Sequence, residues 1–351
     1  MTNFLALFNH KGGVSKTTTT FNLGWMLAEK GKRVVMVDAD PQVNLTGMVL
    51  GFKGPTELDD FYQNHPEQNL YAGLAPAFQS RPEQVRAVAC VPVEGREGLF
   101  LLPGHLRIAE YEVTLGIAQE LSGSIQTLQN LPGSLRFLLD KTAAQYNADY
   151  VLIDMSPGLG AINQNLLTTS DFFLLPTNPD FFSVMAIDSL SAVLPRWKRW
   201  ADRAFGLELL RTAAYPFPEP HPKFIGTIVQ KYRPRSGKPA QAFQNWIDEV
   251  ATKVRTSLVP ALKAEHMLLP KGVYTAAGLG DDYCLATIPD FNSLIAKSHE
   301  HQTPVWALTP EMLDQAGVVL TGSENSQQAF GQIFDHLAVR VIALTTDAVS
   351  N

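Results

Sequence analysis

Short apolar runs alternate with amphipathic stretches along this chain. Seven runs have the length of β-strands, with helical patterns between most of them, and they span residues 4–8, 33–38, 99–102, 150–154, 172–176, 224–229 and 284–288. Strands that alternate with helices are typical of a parallel sheet whose crossover helices cover both faces. The pattern therefore predicts an α/β fold with a doubly wound, mostly parallel sheet, and a ligand site at the carboxyl ends of its strands.

The loop between the first apolar run and the first helical pattern carries the strongest chemical signal. Residues 8–20 read FNHKGGVSKTTTT. A strand, a glycine-containing loop and a helix form the context that a nucleotide phosphate site requires. Backbone N–H groups of residues 12–17 can converge on phosphates, aided by the positive end of the helix dipole. Lys16 would reach the β- and γ-phosphates, and the Thr17 hydroxyl would coordinate Mg²⁺.

This loop departs from the common Walker pattern, which has glycine where His10 and Ser15 stand. With its additional lysine, Lys11, it resembles the deviant Walker A loop, Lys-Gly-Gly-x-x-Lys-Thr, of the ParA/MinD family of partition and positioning ATPases. That family also lacks glycine at the position of His10, whereas Ser15 replaces a glycine that is usual there. The resemblance implies that Lys11 reaches the nucleotide of a partner subunit, and that ATP is bound by Lys11, Gly12, Gly13, Val14, Ser15, Lys16, Thr17 and Thr18.

A second motif ends the apolar run at 33–38. Asp38 and Asp40 are two residues apart, so an extended chain points both carboxylates the same way. Residues 38–42 resemble the family motif Asp-x-Asp-Pro-Gln, although Val43 stands where glycine is common. The resemblance implies that Asp40 orients the attacking water and that Asp38 supports the Mg²⁺ shell. The alternative is that the two acids cap the next element.

A third motif, residues 150–160 (YVLIDMSPGLG), places a carboxylate after four apolar residues. This is the pattern of a Walker B strand, in which Asp154 would hold Mg²⁺ through water. A buried strand ending in aspartate is common alone, but three such motifs in the family order are not. Residues 284–292 resemble the region where the family encloses adenine, which implies a backbone contact of Pro289 with the base. Lys11, Lys16 and Asp40 are the catalytic candidates.

The composition is that of an ordinary soluble protein, with 45% hydrophobic and 18% charged residues. We expect a single ATPase domain over residues 1–351, with an irregular connection at 51–98 and a proline-rich insertion at 204–223. That insertion is a stiff connector or a ligand for a partner domain. Cys90 and Cys284 are isolated, which fits a reducing cytoplasm, excludes a disulfide framework or a CxxC metal site, and disfavours iron–sulfur chemistry. No secretory signal and no membrane-spanning run is visible.

A net charge of −6 argues against a uniformly basic nucleic-acid binder, so local patches matter. The loop at 231–238 is comparable to one that contacts DNA in the family, and its candidates are Arg233, Arg235 and Lys238. The alternative is an ordinary solvated loop. A second patch, at 196–203, offers weaker candidates, Arg196, Lys198 and Arg199, while its Trp197 and Trp200 fit a core better than a base-stacking platform.

The resemblance implies a ParA-like ATPase that dimerises with ATP and Mg²⁺, binds DNA without sequence preference and hydrolyses ATP slowly until a ParB-like activator stimulates it. One alternative is a MinD-like membrane-cycling ATPase. It needs a cationic amphipathic helix, and the last helical pattern, 327–344, offers only Arg340, so packing against the domain is the better interpretation. The others are an ATP-gated scaffold whose turnover is slowed by Ser15, and a ligase- or reductase-type relative.

Overall fold

A central sheet organises the protein, whose computed structural model describes residues 2–121, 128–235 and 238–346, except for the side chains of residues 234–238. Its eight strands are β1 (Asn3–Leu7), β2 (Val34–Ala39), β3 (Val91–Pro92), β4 (Leu99–Leu102), β5 (Tyr150–Met155), β6 (Phe172–Thr177), β7 (Lys223–Tyr232) and β10 (Cys284–Pro289). They are ordered β10-β7-β6-β1-β5-β2-β4-β3. Only β3 is antiparallel to its neighbour, so the predicted doubly wound, mostly parallel sheet is confirmed.

All seven apolar runs form strands of this sheet. The structure adds β3, whose two residues include a proline and give no periodic signal, and extends β7 to Tyr232 through polar residues. It also adds a two-stranded antiparallel hairpin, β8 (Pro234–Arg235) and β9 (Lys238–Pro239), inside the predicted DNA-binding loop. Elements of two residues are too short for hydrophobic alternation to reveal them.

Helices fill the intervals between the strands. In the first half they are α1 (Lys16–Glu29), α2 (Asn44–Leu50), α3 (Pro55–Asn64), α4 (Leu70–Phe78), α5 (Glu110–Glu120), α6 (Leu131–Tyr146) and α7 (Ala161–Thr169). In the second half they are α8 (Phe181–Gly206), α9 (Glu208–Arg211), α10 (Gln241–Lys253), α11 (Val259–Ala264), α12 (Lys271–Ala276), α13 (Leu294–Glu300), α14 (Pro310–Leu313) and α15 (Gly317–Thr346). The connection at 51–98 thus contains two helices, α3 and α4.

Two hydrophobic cores lie on opposite faces of the sheet. Successive side chains of a strand point to opposite faces; accordingly Phe4 and Ala6 of β1 belong to one core, and Leu5 and Leu7 to the other. All four are at most 2% exposed. Helices α4–α8, α10 and α11 cover the first face, and α1, α2 and α12–α15 cover the second. Burial on both faces explains why the central strands read as continuous apolar runs.

The order of the strands brings the three sequence motifs together. Strand β5 pairs with β1 on one side and with β2 on the other, and in both pairs the strands are parallel. Asp154 is aligned with Leu7, the last residue of β1, and with Asp38. Because parallel strands end at the same edge, both carboxylates lie beside the loop that leads into α1.

The last helix, α15, packs on the second face of the sheet, as expected. Phe330, Phe334 and Leu337 are buried, and the Arg340 guanidinium donates hydrogen bonds to the carbonyls of Leu285 and Gly278. These three apolar side chains of the helix are therefore covered by the domain, whereas Val318, Val319 and Val339 are exposed. Within the described residues, no helix is long and apolar enough to cross a membrane.

The proline-rich insertion lies against the first face instead of extending from the surface. Phe217 is buried with Ala201 and Leu210, and the Tyr215 hydroxyl accepts a hydrogen bond from the Val85 backbone. On the other side, Gly133 in the first turn of α6 lies so close to this segment that a Cβ there would meet backbone atoms of residues 215 and 216. The insertion is thus a packed connector.

The close approach at Gly133 gives a test of this packing. Gly133→Ala should lower the free energy of unfolding by about 1–3 kcal/mol, because backbone atoms cannot move aside as a side chain can. The measurement is denaturant unfolding of the nucleotide-free protein. The control is Gly322→Ala, at an exposed position of α15 with no atom near the new methyl group, which should be neutral or stabilising by up to about 1 kcal/mol. Equal effects of the two changes would contradict this packing.

Candidate functional site

The loop between β1 and α1 has the backbone of a phosphate-binding loop without all of its glycines. Gly13 has φ 72° and Ser15, directly before α1, has φ 59°. A left-handed conformation is unfavourable for a residue with a Cβ, by about 1–2 kcal/mol. Ser15 therefore adopts the conformation for which glycine is suited, and α1 begins at Lys16 with its first N–H groups directed toward the loop.

Lys16 lies inside this loop. It is 7% exposed, and its Nζ donates to the carbonyl of Asn9 at 3.1 Å. Burial lowers the pKa of its ammonium, while the charges of Asp154 and Asp40 oppose that change. Lys16 also lines a cavity of about 930 Å³ that extends along the loop. The side chain is thus a buried cation at the floor of an open cavity, as its predicted role requires.

The Lys11 ammonium has partners of its own, although the Lys11 carbonyl lies 3.5 Å from the Lys16 Nζ. The Lys11 Nζ contacts both carboxylate oxygens of Asp180 at 2.6 Å and the Ser183 hydroxyl at 3.1 Å. It also lies 5.8 Å from the centre of the Phe182 ring. Burial opposes ionisation of Asp180, but hydrogen bonds from Lys11 and Ser183 outweigh it and lower the pKa of that carboxyl. Lys11 does not line the cavity of its own subunit.

Two aspartates lie behind the cavity on adjacent strands. Asp38 is fully buried and accepts hydrogen bonds from the hydroxyl and backbone N–H of Thr46 and from the N–H of Asp40. Burial raises the pKa of Asp38 to about 6, against these hydrogen bonds. Its contacts fix the chain between β2 and α2. Its role as a metal ligand stays a prediction, because both of its oxygens already accept protein hydrogen bonds.

Asp154 has a different environment. Both of its carboxylate oxygens are buried and make no hydrogen bond of normal geometry to any described residue. Burial, followed by the charge of Asp38, raises the pKa of Asp154 well above its usual range, against the Thr17 hydroxyl and the Lys16 ammonium. Uncompensated carboxylate oxygens beside a hydroxyl fit a hard divalent cation. Among the described residues, no group of three or more His, Cys, Asp or Glu that could hold a metal ion is found.

Asp40 is the acid that faces the cavity. It is 7% exposed, lines the cavity and accepts a hydrogen bond from the N–H of Gln42. Val43 has φ 49°, so this position keeps the left-handed backbone that the family provides with glycine. The turn holds Asp40 opposite Lys16 and leaves its carboxylate accessible from the cavity.

The cavity is also lined by residues that sequence analysis missed. Asp290 and Phe291 line it, whereas the predicted Pro289 does not, so the contact of Pro289 with adenine stays a prediction. Further lining residues come from other segments, among them Phe52, Lys53, Leu58, Lys231, Ile295 and His299. Only the likeness of residues 284–292 to an adenine region pointed here; nothing in sequence links residues 52–58 to a site more than two hundred residues away.

The basic residues predicted to contact DNA differ in their surroundings in the structure. Arg233 is exposed next to the β8–β9 hairpin, while the side chains of Arg235 and Lys238 lie outside the part that the structure describes. In the second patch, Lys198 pairs with Asp202 and Arg199 with Glu265. Trp197 is 2% exposed and packs on Phe8, which places it in the core, and half-buried Trp200 packs edge-on against Phe217.

A family model described as AAA domain (AAA_31) matches residues 2–204, more than half of the chain. The chromosome partitioning protein ParA of Caulobacter vibrioides is 32% identical over 194 residues, which are 55% of this chain and 62% of that protein. The chain thus spans about three fifths of the length of this curated relative.

Solved structures share the fold over nearly the whole chain. ParA of pNOB8, bound to nonspecific DNA, superposes with a TM-score of 0.55 at 18% identity and covers 99% of both chains. An ATP complex of a Cyanothece McdA variant gives a TM-score of 0.53 at 15% identity, over 93% of this chain and 96% of that one. On the family match, this chain belongs to the AAA_31 family, and the curated ParA relative supports the resemblance of its phosphate loop to the ParA/MinD family.

Proposed function

We propose that this chain is a ParA-like ATPase that works as an ATP-gated dimer switch on DNA. The observation that carries the proposal is the separation of two lysines in one loop. Lys16 faces the cavity, whereas Lys11 is held outside it by Asp180. An ammonium that lies outside its own cavity is available to neutralise phosphate charge in a second subunit. Association would then depend on the γ-phosphate.

Exposed apolar side chains around Lys11 support the proposal that a second copy of the chain binds there. Phe181, Phe182 and Met185, in the first turns of α8, are 52%, 67% and 55% exposed. Contiguous apolar groups of this size mark interaction sites on soluble proteins. The Phe182 ring also lies near the Lys11 ammonium. A second copy that meets Lys11 would cover these side chains, so dimerisation is supported by apolar burial as well as by charge.

The cavity suits ATP in size and chemistry. Its volume of about 930 Å³ is in the range of small-molecule sites. Loop N–H groups and Lys16 would bind the phosphates, and Asp40 would orient the attacking water. Thr17, Asp38 and Asp154 would hold Mg²⁺, which neutralises phosphate charge when bound. Slow intrinsic hydrolysis, accelerated by a ParB-like activator, completes the proposed cycle.

DNA is the proposed surface for the dimer, through Arg233, Arg235 and Lys238. The DNA complex of pNOB8 ParA supports this for a protein of the same fold. Two copies of the loop would act together, and linked sites gain affinity through effective concentration. A membrane role is disfavoured because Phe330, Phe334 and Leu337 of α15 are buried by the domain.

One observation favours a second function, an ATP-gated scaffold with little turnover. Ser15 holds a left-handed backbone that glycine adopts without cost, so the loop carries strain at the phosphate site. Turnover measured beside ATP-dependent dimerisation separates the two. An active switch hydrolyses ATP and releases the dimer, whereas a scaffold assembles and stays assembled.

Lys11→Ala should abolish ATP-dependent dimerisation, because the contact with the partner's phosphates is lost. The nucleotide-free monomer should lose no more than about 1 kcal/mol, since the pair with Asp180 is partly exposed. Asp180→Asn is the matched variant: asparagine can still cap α8 at Ser183 but no longer pairs with Lys11. It should dimerise at an ATP concentration up to about fivefold lower. Analytical ultracentrifugation measures both, and dimers of Lys11→Ala would contradict the mechanism.

Asp154→Asn should stabilise the protein at pH 8 without nucleotide or Mg²⁺. The pKa of Asp154 is raised in the folded state, so its favourable contribution is complete below the usual value of 3.8 and is lost as the pH rises through the raised pKa. The melting temperatures of the variant and the wild type are measured at pH 8 and at pH 5, and the difference between them is taken at each pH. Comparing the two differences cancels the cost of burying the amide, because that cost does not depend on pH. A difference that does not grow with pH would contradict a poised cation site.

Binding to nonspecific duplex DNA should require ATP and weaken with salt. In a log–log plot of affinity against salt concentration, Arg235→Ala should reduce the slope by about 2, because each subunit loses one phosphate contact. Arg199→Ala, whose partner is Glu265, is the control and should leave the slope unchanged. ATP-dependent dimers that do not bind DNA at low salt would contradict this role and favour a protein scaffold.

A further inference from the structure

Three side chains outside the phosphate loop hold two consecutive carbonyls of that loop. Lys231 Nζ donates to the Gly13 carbonyl at 3.0 Å, and Asn178 Nδ2 donates to the same oxygen at 3.3 Å. Gln230 Nε2 donates to the Val14 carbonyl at 3.4 Å and to the Thr19 hydroxyl at 2.6 Å. These donors come from β7 and from the segment between β6 and α8, far from the loop in sequence.

Because of peptide geometry, these contacts set the orientation of the N–H groups of Val14 and Ser15, which we call the phosphate cradle. A peptide unit is planar and trans, so its C=O and the N–H of the next residue point in opposite directions. Holding the Gly13 carbonyl on the Lys231 side turns the Val14 N–H toward the other side. Holding the Val14 carbonyl on the Gln230 side does the same for the Ser15 N–H. Donors that contact these carbonyls therefore fix the direction of the N–H groups that would meet phosphate, although Lys231 itself also lines the cavity.

Lys231 makes this contact from a backbone conformation that is uncommon for a residue with a Cβ. Lys231 has φ 60°, a left-handed backbone that is unfavourable for any residue with a Cβ. A regular end of β7 would avoid this conformation. Lys231 is also exposed, so core packing does not explain it, whereas Gln230 beside it is 1% exposed. Strained backbone of this kind is concentrated at ligand sites.

We propose that Lys231, Gln230 and Asn178 are positioning residues of the phosphate cradle. They orient the N–H groups of Val14 and Ser15 and thereby set the affinity for nucleoside di- and triphosphates. The inference rests on the proposed function in one respect, that the cradle binds nucleotide phosphates. Because the oriented groups belong to the loop and not to the dimer surface, the diphosphate and the triphosphate are affected alike.

The experiment compares Lys231→Met with Lys231→Arg by calorimetric titration of ADP and of a non-hydrolysable ATP analogue. Methionine keeps the apolar stem and removes the cation, so affinity for both nucleotides should fall about tenfold. Arginine should restore most of it. The melting temperature of the nucleotide-free protein should not change. Lys271→Met, which removes an exposed lysine paired with Asp281, is the control and should bind both nucleotides normally.

Three results would overturn the inference. The first is unchanged affinity in Lys231→Met. The second is a loss of affinity accompanied by an equal loss of nucleotide-free stability, which would mark Lys231 as structural only. The third is a wild-type chain that binds neither nucleotide, which removes the proposed function together with this inference. Normal ADP binding with failed ATP-dependent dimerisation in the wild type would instead overturn the dimer switch and leave the cradle assignment standing.

Discussion

The structure depends on one electrostatic constraint. The buried ammonium of Lys16 must be held near backbone donors and three carboxyl groups without forming a direct ion pair that would fill the site. Lys16 is the cation, and Asp38, Asp40 and Asp154 are the anions. Burial strengthens every interaction among these charges, whether attractive or repulsive. A cluster with more carboxylates than cations is unfavourable alone and becomes favourable with a divalent cation. The same excess charge that weakens the empty protein therefore favours the loaded one.

The fold supplies the rigidity that this constraint demands. Strands β1, β5 and β2 are adjacent and parallel, and both faces are covered by apolar cores, so their carboxyl ends cannot move apart. Asp38 directs its hydrogen bonds to Thr46 and the chain before α2, which leaves Asp40 facing the cavity. Asp154, by contrast, accepts no hydrogen bond of normal geometry from the described residues and lies beside the Thr17 hydroxyl. Neighbouring acids thus have separate tasks because their hydrogen-bond environments differ.

Two positions show how tertiary structure overrides local preference. Ser15 and Val43 stand where the family uses glycine, and both keep left-handed backbones. Local propensity disfavours these conformations, but the hydrogen bonds and packing around each turn impose them. The loop at 231–238 shows what sequence does not reveal. Its basic residues can be read from the sequence, but the contact of Lys231 with the Gly13 carbonyl cannot.

The sequence by itself determined most of the sheet and pointed to one edge of it. Apolar runs of strand length located seven strands, because their period is a local property of the chain, and three motifs predicted that Lys16, Asp40 and Asp154 lie near the carboxyl ends of strands. Tertiary structure alone decided what each group contacts. It paired Lys11 with Asp180, brought residues 52–58 and 290–299 to one cavity, and set Lys231 against the Gly13 carbonyl of the phosphate loop. These contacts join segments far apart in sequence, and no local pattern records which distant side chains packing will bring together.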